Sequence, residues 1–433
     1  MLFLFLLEEK NVVMKNLIVL FAILFANLFY GQNFKDTFVI ERSSGKGLVD
    51  TLGQIILPPN YENVSISRND KYVSLKNIDS KYGVLNEKLD TIIPFEYDYI
   101  NNEYDLFVVS ENDTYGLLNS NGQLVLPINN KRIYSSTNGF KGFSYENNNG
   151  SFGFVDEQGK HIISNSPYWI EALSKKYFVV KIEDENYIVN KKMKKAYEKP
   201  IRFVSNTSAK YSVFYIKENE NYVAGLFDLK KGKVVLKPQY KSIWVDDKND
   251  LFIVENKNGY YLQNKRFETI SDVYEKMYFS KDKSSLIKVF KNKKYGFLNL
   301  DGSLAIDLIY DEAEPFSEGL AAVVKNGYWG FINSKGETVI DFTFVGKMES
   351  FINNKAKFYK GNITTSGLYT SFRASFIDKN GKFLIEPYYE ELDYVSKSRV
   401  IGYKKGTRIL IDLNTKKEII ELTKDDRIFQ IEG

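Results

Sequence analysis

Hydrophobic residues in this chain fall in short runs broken by polar turn residues, as in "LAAVVKNGYWGFINSKGETVI" from Leu320 to Ile340. The runs are too short for helices and rich in β-branched and aromatic side chains, which predicts strands. Asn, Asp and Gly cluster between the runs, where tight turns need them. Here the pattern predicts three strands, "LAAVV", "YWGFI" and "ETVI", joined by the turns "KNG" and "NSKG". Three β segments joined so closely make an antiparallel meander.

The middle segment recurs along the chain. It reads "KGLVD" at Gly47, "YGVLN" at Gly83, "YGLLN" at Gly116, "FGFVD" at Gly153, "AGLFD" at Gly225, "YGFLN" at Gly296 and "WGFIN" at Gly330. Weaker copies stand at Tyr187, Tyr260, Ser375 and Ile409, giving eleven registers spaced 36, 33, 37, 34, 38, 35, 36, 34, 45 and 34 residues apart. A fixed period of this size signals a repeat architecture, in which each copy buries its apolar face against its neighbours. The expected fold is therefore all-β: a tandem array of about eleven antiparallel three-stranded repeats of some 35 residues, open and curved or superhelical. The alternative is one or two β-propellers, although a propeller blade usually has four strands and about 40–45 residues.

Each position in the repeat has a physical reason. An Asn or Asp closes ten of the eleven copies, Gln263 closes the other, and Gly often follows three residues later, as in Asn333 and Gly336 or Asp156 and Gly159. That spacing is what a type I turn prefers. Six of the nine prolines (Pro58, Pro59, Pro94, Pro127, Pro238 and Pro387) follow the third strand and are expected to mark where pairing stops. The mid-strand glycine implies close approach of another backbone, expected from the next repeat or at a corner. Residues on either side of it share a face. Trp329 and Phe331, Tyr295 and Phe297, and Phe152 and Phe154 are thus expected core pairs, the alternative being an aromatic row that binds sugars.

Composition narrows the chemistry. With 31 Tyr and 32 Phe the chain leans further towards β structure. It has no Cys and a single His, His161, which excludes disulfides, thiol nucleophiles and zinc sites built from several imidazoles. His161 follows a Gly turn and reads as an exposed strand residue. The net charge of +4 shows no basic stripe, so no nucleic-acid partner is expected. The run "KKMKK" from Lys191 reads as a solvated turn. The acids Asp311, Glu312, Glu314 and Glu318 resemble a glycosidase pair only superficially, since the same link in other copies carries no shared acids. No catalytic, cofactor-binding or metal-binding residue is predicted.

The N-terminus reads as an export signal. From Met14, the expected true start, a Lys precedes a 14-residue apolar run, Leu17 to Tyr30, ending in Gly31-Gln32. Residues 1–32 are expected to be a signal peptide and residues 33–433 the repeat array, with an uncleaved anchor as the alternative. The product would be periplasmic, surface-associated or secreted, with no transmembrane span once the signal is removed.

The stretch from Ile309 to Ile340 resembles the WG (Trp-Gly) repeat family. The residues that carry the likeness are Tyr310-Asp311, Ala313, Phe316, Gly319-Leu320-Ala321, Val323, Gly327, Trp329-Gly330, Phe331-Ile332-Asn333 and Gly336. Copies at Gly83, Gly116, Gly153 and Gly296 are similar with Tyr or Phe replacing Trp. The resemblance implies a bacterial β-repeat module without settled catalytic activity, and so no site residue or cofactor. It points to a non-catalytic scaffold for protein or cell-envelope partners. A carbohydrate-binding module and a carboxylate-dependent hydrolase are the alternatives. Inserted loops often sit on the binding face of repeat proteins, so residues 359–370, in the 45-residue repeat, are the first expected contact region. More generally, a localised function is expected where the copies disagree.

Overall fold

Almost every regular element is a β-strand, paired antiparallel with its neighbour in sequence. The computed structural model describes Phe34 and residues 37–50, 54–67, 69–136, 140–280, 286–363, 369–394 and 398–422. The predicted signal segment, residues 1–32, lies outside the described residues. The chain forms two compact units, one holding the described residues up to Ile128 and the other those from Asn129 onward. The expected all-β repeat array is what the structure shows. Among the described residues no helix is long and apolar enough to cross a membrane.

The repeat around Trp329 displays the plan. Strands Ala321–Lys325, Tyr328–Ile332 and Thr338–Phe344 form the expected meander, and a short leading strand, Glu312–Ala313, adds a fourth member. Asn333 closes the second hairpin as predicted. Its Oδ1 accepts from the amides of Lys335 (3.0 Å) and Glu337 (3.1 Å), and its carbonyl accepts from Gly336 N at 2.9 Å. Gly336 takes φ of +80°, so a type I turn runs into a left-handed residue, a common hairpin closure. Leu89, Met193 and Phe267 hold the same left-handed place without glycine and pack against the core, which offsets the backbone strain.

Of the two expectations for the mid-strand glycine, the next repeat and a corner, the first fails: the close backbone belongs to its own repeat. Trp329 pairs with Phe344 and Phe331 with Ile340, so three residues of one strand oppose five of the other. The surplus bulges towards Gly330, where an added Cβ would lie 2.8 Å from the Ile340 carbonyl oxygen. The same shift recurs opposite Gly83, Gly225 and Gly296. The prolines also sit differently from expectation. Pro94 and Pro238 fall inside the third strand, in the bulge where no ladder partner is needed, and the strand then re-pairs at Tyr97 and Tyr240.

Register also corrects the copy near Tyr260. Val254 pairs with Tyr261 as Val289 pairs with Gly296, so Tyr261 holds the glycine's place. Asn264, not Gln263, then closes the turn, accepting from Arg266 N and Glu268 N.

Both faces of the second strand are buried. Ala321 and Val323 pack with Phe297 and Phe316, whereas Ala322 and Val324 pack with Phe331, Phe351 and Phe358. Each sheet is thus sandwiched between its sequence neighbours, which explains why these strands read as unbroken apolar runs. Of the expected core aromatics, Trp329, Phe331, Phe297 and Phe154 are buried, while Phe152 and Tyr295 are half-buried. The Trp329 Nε1 donates to the Gly346 carbonyl at 2.8 Å, tying one repeat to the start of the next.

Candidate functional site

The glycine rule breaks at Tyr187, and a cavity lies there. Tyr187 occupies the glycine position opposite Val180. A phenol ring cannot admit the bulge, and the third strand of this repeat shrinks to the bridges Val189↔Lys195 and Asn186↔Ile201. The sheet retains only Ile170–Ala172, Tyr177–Ile182 and Glu185–Asn190. The next sheet begins with its edge strand Phe203–Thr207, and a cavity of about 300 Å³ is lined by residues from both.

Trp169 and Phe203 supply its aromatic lining, and Val179, Val180 and Val204 its aliphatic part. Trp169 is braced edge-on by Tyr134 and Phe152, with centroids 5.3 and 5.8 Å away. Phe203 stacks on Tyr215 at 4.6 Å and meets Tyr222 edge-on at 5.7 Å. The polar lining is Glu171, Lys181, Asn186 and Arg202. Asn186 Nδ2 donates to the Arg202 carbonyl at 3.1 Å, and Arg202 N donates to the Tyr215 carbonyl at 2.7 Å, so the backbone beneath the guanidinium is fixed. Lys181 pairs with Asp184 at 2.8 Å, but both are well exposed and the pair is weak.

The other residues singled out in the sequence have structural roles. His161 is exposed on its strand, with Nδ1 3.4 Å from the Tyr145 hydroxyl. The "KKMKK" run is a turn whose four lysines are exposed, Lys195 lying 3.5 Å over the Tyr187 ring. The acidic cluster is drawn apart: Asp311 pairs with Lys294 at 2.5 Å and Glu318 with Lys379 at 3.3 Å. Lys288, not singled out in the sequence, is half-buried between repeats, its Nζ donating to the Ala313 carbonyl at 2.8 Å, and desolvation pushes its pKa down. Of residues 359–370, the described ones belong to the paired strands Ala356–Ile363 and Tyr369–Ile377, and residues 364–368 lie outside the described set. Among the described residues no group of three or more acids and histidines is placed to hold a metal.

Six segments of the chain match the family described as "WG containing repeat": residues 47–73, 82–115, 225–261, 295–329, 329–362 and 375–406. The chain is a WG-repeat protein. The matched segments lie on either side of the Trp169–Phe203 cavity, which falls where the WG pattern is weakest. No curated protein matches the WG-repeat chain in sequence. Among solved structures it is similar to a eukaryotic initiation factor, with 9% identity, 91% of this chain and 96% of that one covered, and a TM-score of 0.39. Hsv2 of Kluyveromyces lactis is similar at 9% identity over 59% and 95% of the two chains, TM-score 0.29. The dihydro-heme d1 dehydrogenase NirN is similar at 9% over 93% and 76%, TM-score 0.28. Likenesses this distant carry nothing about ligand or activity.

Sequence reasoning missed Trp169 and Phe203 because both lie outside the repeated motif. The available signal was the leading strand. In five successive repeats its inward residue (Ile133, Ile170, Val204, Ile243, Met277), buried except for the half-buried Val204, has an aromatic beside it in sequence: Tyr134, Trp169, Phe203, Trp244 and Tyr278.

Proposed function

We propose that this WG-repeat protein is a non-catalytic binding scaffold, exported through its N-terminal segment to engage a protein or surface component of the cell envelope. The observation that supports this most is the row of aromatic side chains on successive leading strands of the second compact unit. Tyr134, Phe203, Trp244 and Tyr278 are 48%, 43%, 39% and 45% exposed, and Trp169 is half-buried among them in sequence. A repeat that needs aromatics only for its core has no use for one ring per repeat in water. Large amphipathic rings of this kind are what binding surfaces use, because they offer contact area at little entropic cost.

The test is direct. Purified protein is immobilised and exposed to isolated cell envelopes, alongside a variant carrying Tyr134→Ser, Trp244→Ser and Tyr278→Ser. Saturable capture by the native chain and its loss in the variant are expected. Equal capture by both, or capture by neither, would refute the reading.

A further inference from the structure

The cavity combines features that a purely apolar ligand would not need. Trp169 and Phe203 offer ring surface, each held by two further aromatics, so neither ring needs to be ordered when a ligand arrives. Beside them stand a carboxylate, an ammonium, an amide and a guanidinium from Glu171, Lys181, Asn186 and Arg202. An apolar peptide side chain entering here would strip water from four polar groups and return no hydrogen bonds. A sugar ring suits both parts of the lining. Its C–H face stacks on aromatic carbon, and its hydroxyls act as donors and acceptors at once. Asn186 has Nδ2 committed to the Arg202 carbonyl, which orients the amide and leaves Oδ1 as an acceptor. Arg202 adds a planar fork matched to paired oxygens, and among the described residues no ion pair engages it. The volume, about 300 Å³, stands at the small end of ligand pockets and suits a single ring with its substituents.

We propose that the Trp169–Phe203 cavity is a saccharide-binding site that takes one ring of an envelope or extracellular glycan. The proposal rests on the non-catalytic binding reading above and names the ligand class for it. The site lies where Tyr187 holds the glycine's place and the third strand of the sheet is reduced to two bridges.

Purified full-length exported protein is screened on an array of neutral hexose and uronate oligosaccharides, beside an array of acidic and aromatic peptides. The strongest saccharide is then titrated by calorimetry. Saturable saccharide binding is expected, weakened about tenfold by Phe203→Ala or Arg202→Gln, as for loss of a stacked ring or a charge-assisted bond. Tyr388→Ala, which removes a ring that is 67% exposed on another strand, leaves it unchanged. Near-UV circular dichroism checks that each variant is folded; Arg202→Gln alters no core packing and carries the test if Phe203→Ala is not. If envelopes are captured but no saccharide binds, or only peptides bind, the site assignment falls and the scaffold reading stands. If neither envelopes nor saccharides bind, both fall. A response to Tyr388→Ala equal to that of Arg202→Gln also overturns the site.

Discussion

At Gly330 a side chain would meet both backbone and an aromatic ring. An added Cβ would sit 2.8 Å from the Ile340 carbonyl oxygen and 2.9 Å from the Phe342 ring. The carbonyl belongs to the bulge that brings Phe344 back into register, so it cannot retreat without breaking the pairing of Trp329. Gly330→Ala should therefore destabilise the second compact unit by about 1–3 kcal/mol, the usual cost of overpacking a fixed environment. Gly327→Ala is the control for backbone strain alone, because its φ is +80° but its surroundings are open. Urea unfolding of the two variants checks the argument. A loss at Gly330 no larger than that at Gly327 would show that the bulge yields and that the glycine is kept for another reason.

At the scale of the element, the residue in the glycine's place shapes how the third strand pairs: Ser375 is small enough to keep the bulge, with Ala374 opposite Tyr389 and Phe376 opposite Ile385. Tyr187 and Tyr261 stand in the same place, and their third strands reduce to isolated bridges; Ile409 stands there too, and its partner strand pairs straight through to Glu421. Strand type, turn chemistry and repeat length were all legible in the sequence, because they depend on residues close together in the chain. The bulge was not, because it is a property of two strands at once. The cavity was hidden for a further reason: its rings, Trp169 and Phe203, belong to no motif, and only the register of the leading strands aligns them. Element pairing also sets a pH response. In the last described repeat Arg399 is paired with Asp412 across two strands, and Glu391 bonds Lys357 at 2.5 Å from the preceding repeat. Burial alone would raise both carboxyls. The amides of Thr415 and Asn414 together with Arg399 more than reverse it for Asp412, and Lys357, the Leu392 amide and the Tyr359 hydroxyl do so for Glu391. Both carboxyls therefore lie below their ordinary values, near about 4 when unfolded. Their contribution is fully present above that range and is lost as pH falls through the lower folded values. Urea midpoints should hold from neutrality to about pH 5 and then drop, with a shallower drop in Asp412→Asn. A midpoint in Asp412→Asn that falls as steeply as in the native chain would place the acid response elsewhere.

At the scale of the molecule, a chain built from sandwiched sheets owes its stability to nearest neighbours. Phe331 is fully buried, and its cluster draws Met348, Phe351, Phe358 and Ile377 from the following repeat. The opposite face of the Ala321–Lys325 strand packs with Phe297, Phe316 and Tyr310, so one strand links two layers of core. In such an array the free energy is close to a sum of repeat terms and interface terms, and damage spreads only as far as the interfaces carry it. Phe331→Ala removes about 3–5 kcal/mol of packing at one interface. Amide exchange should then quicken most across residues 312–377, which contain both partners of that interface, and the effect should fade with distance along the second unit. The described residues up to Ile128, a separate compact unit, should keep their protection. Exchange followed peptide by peptide under native conditions separates the cases. A uniform rise over the whole chain would mean that the repeats unfold as one cooperative block, and the interface sum would then fail. A rise confined to 312–377 would make this region independently tunable, so that mutations there leave binding at the Trp169–Phe203 cavity intact.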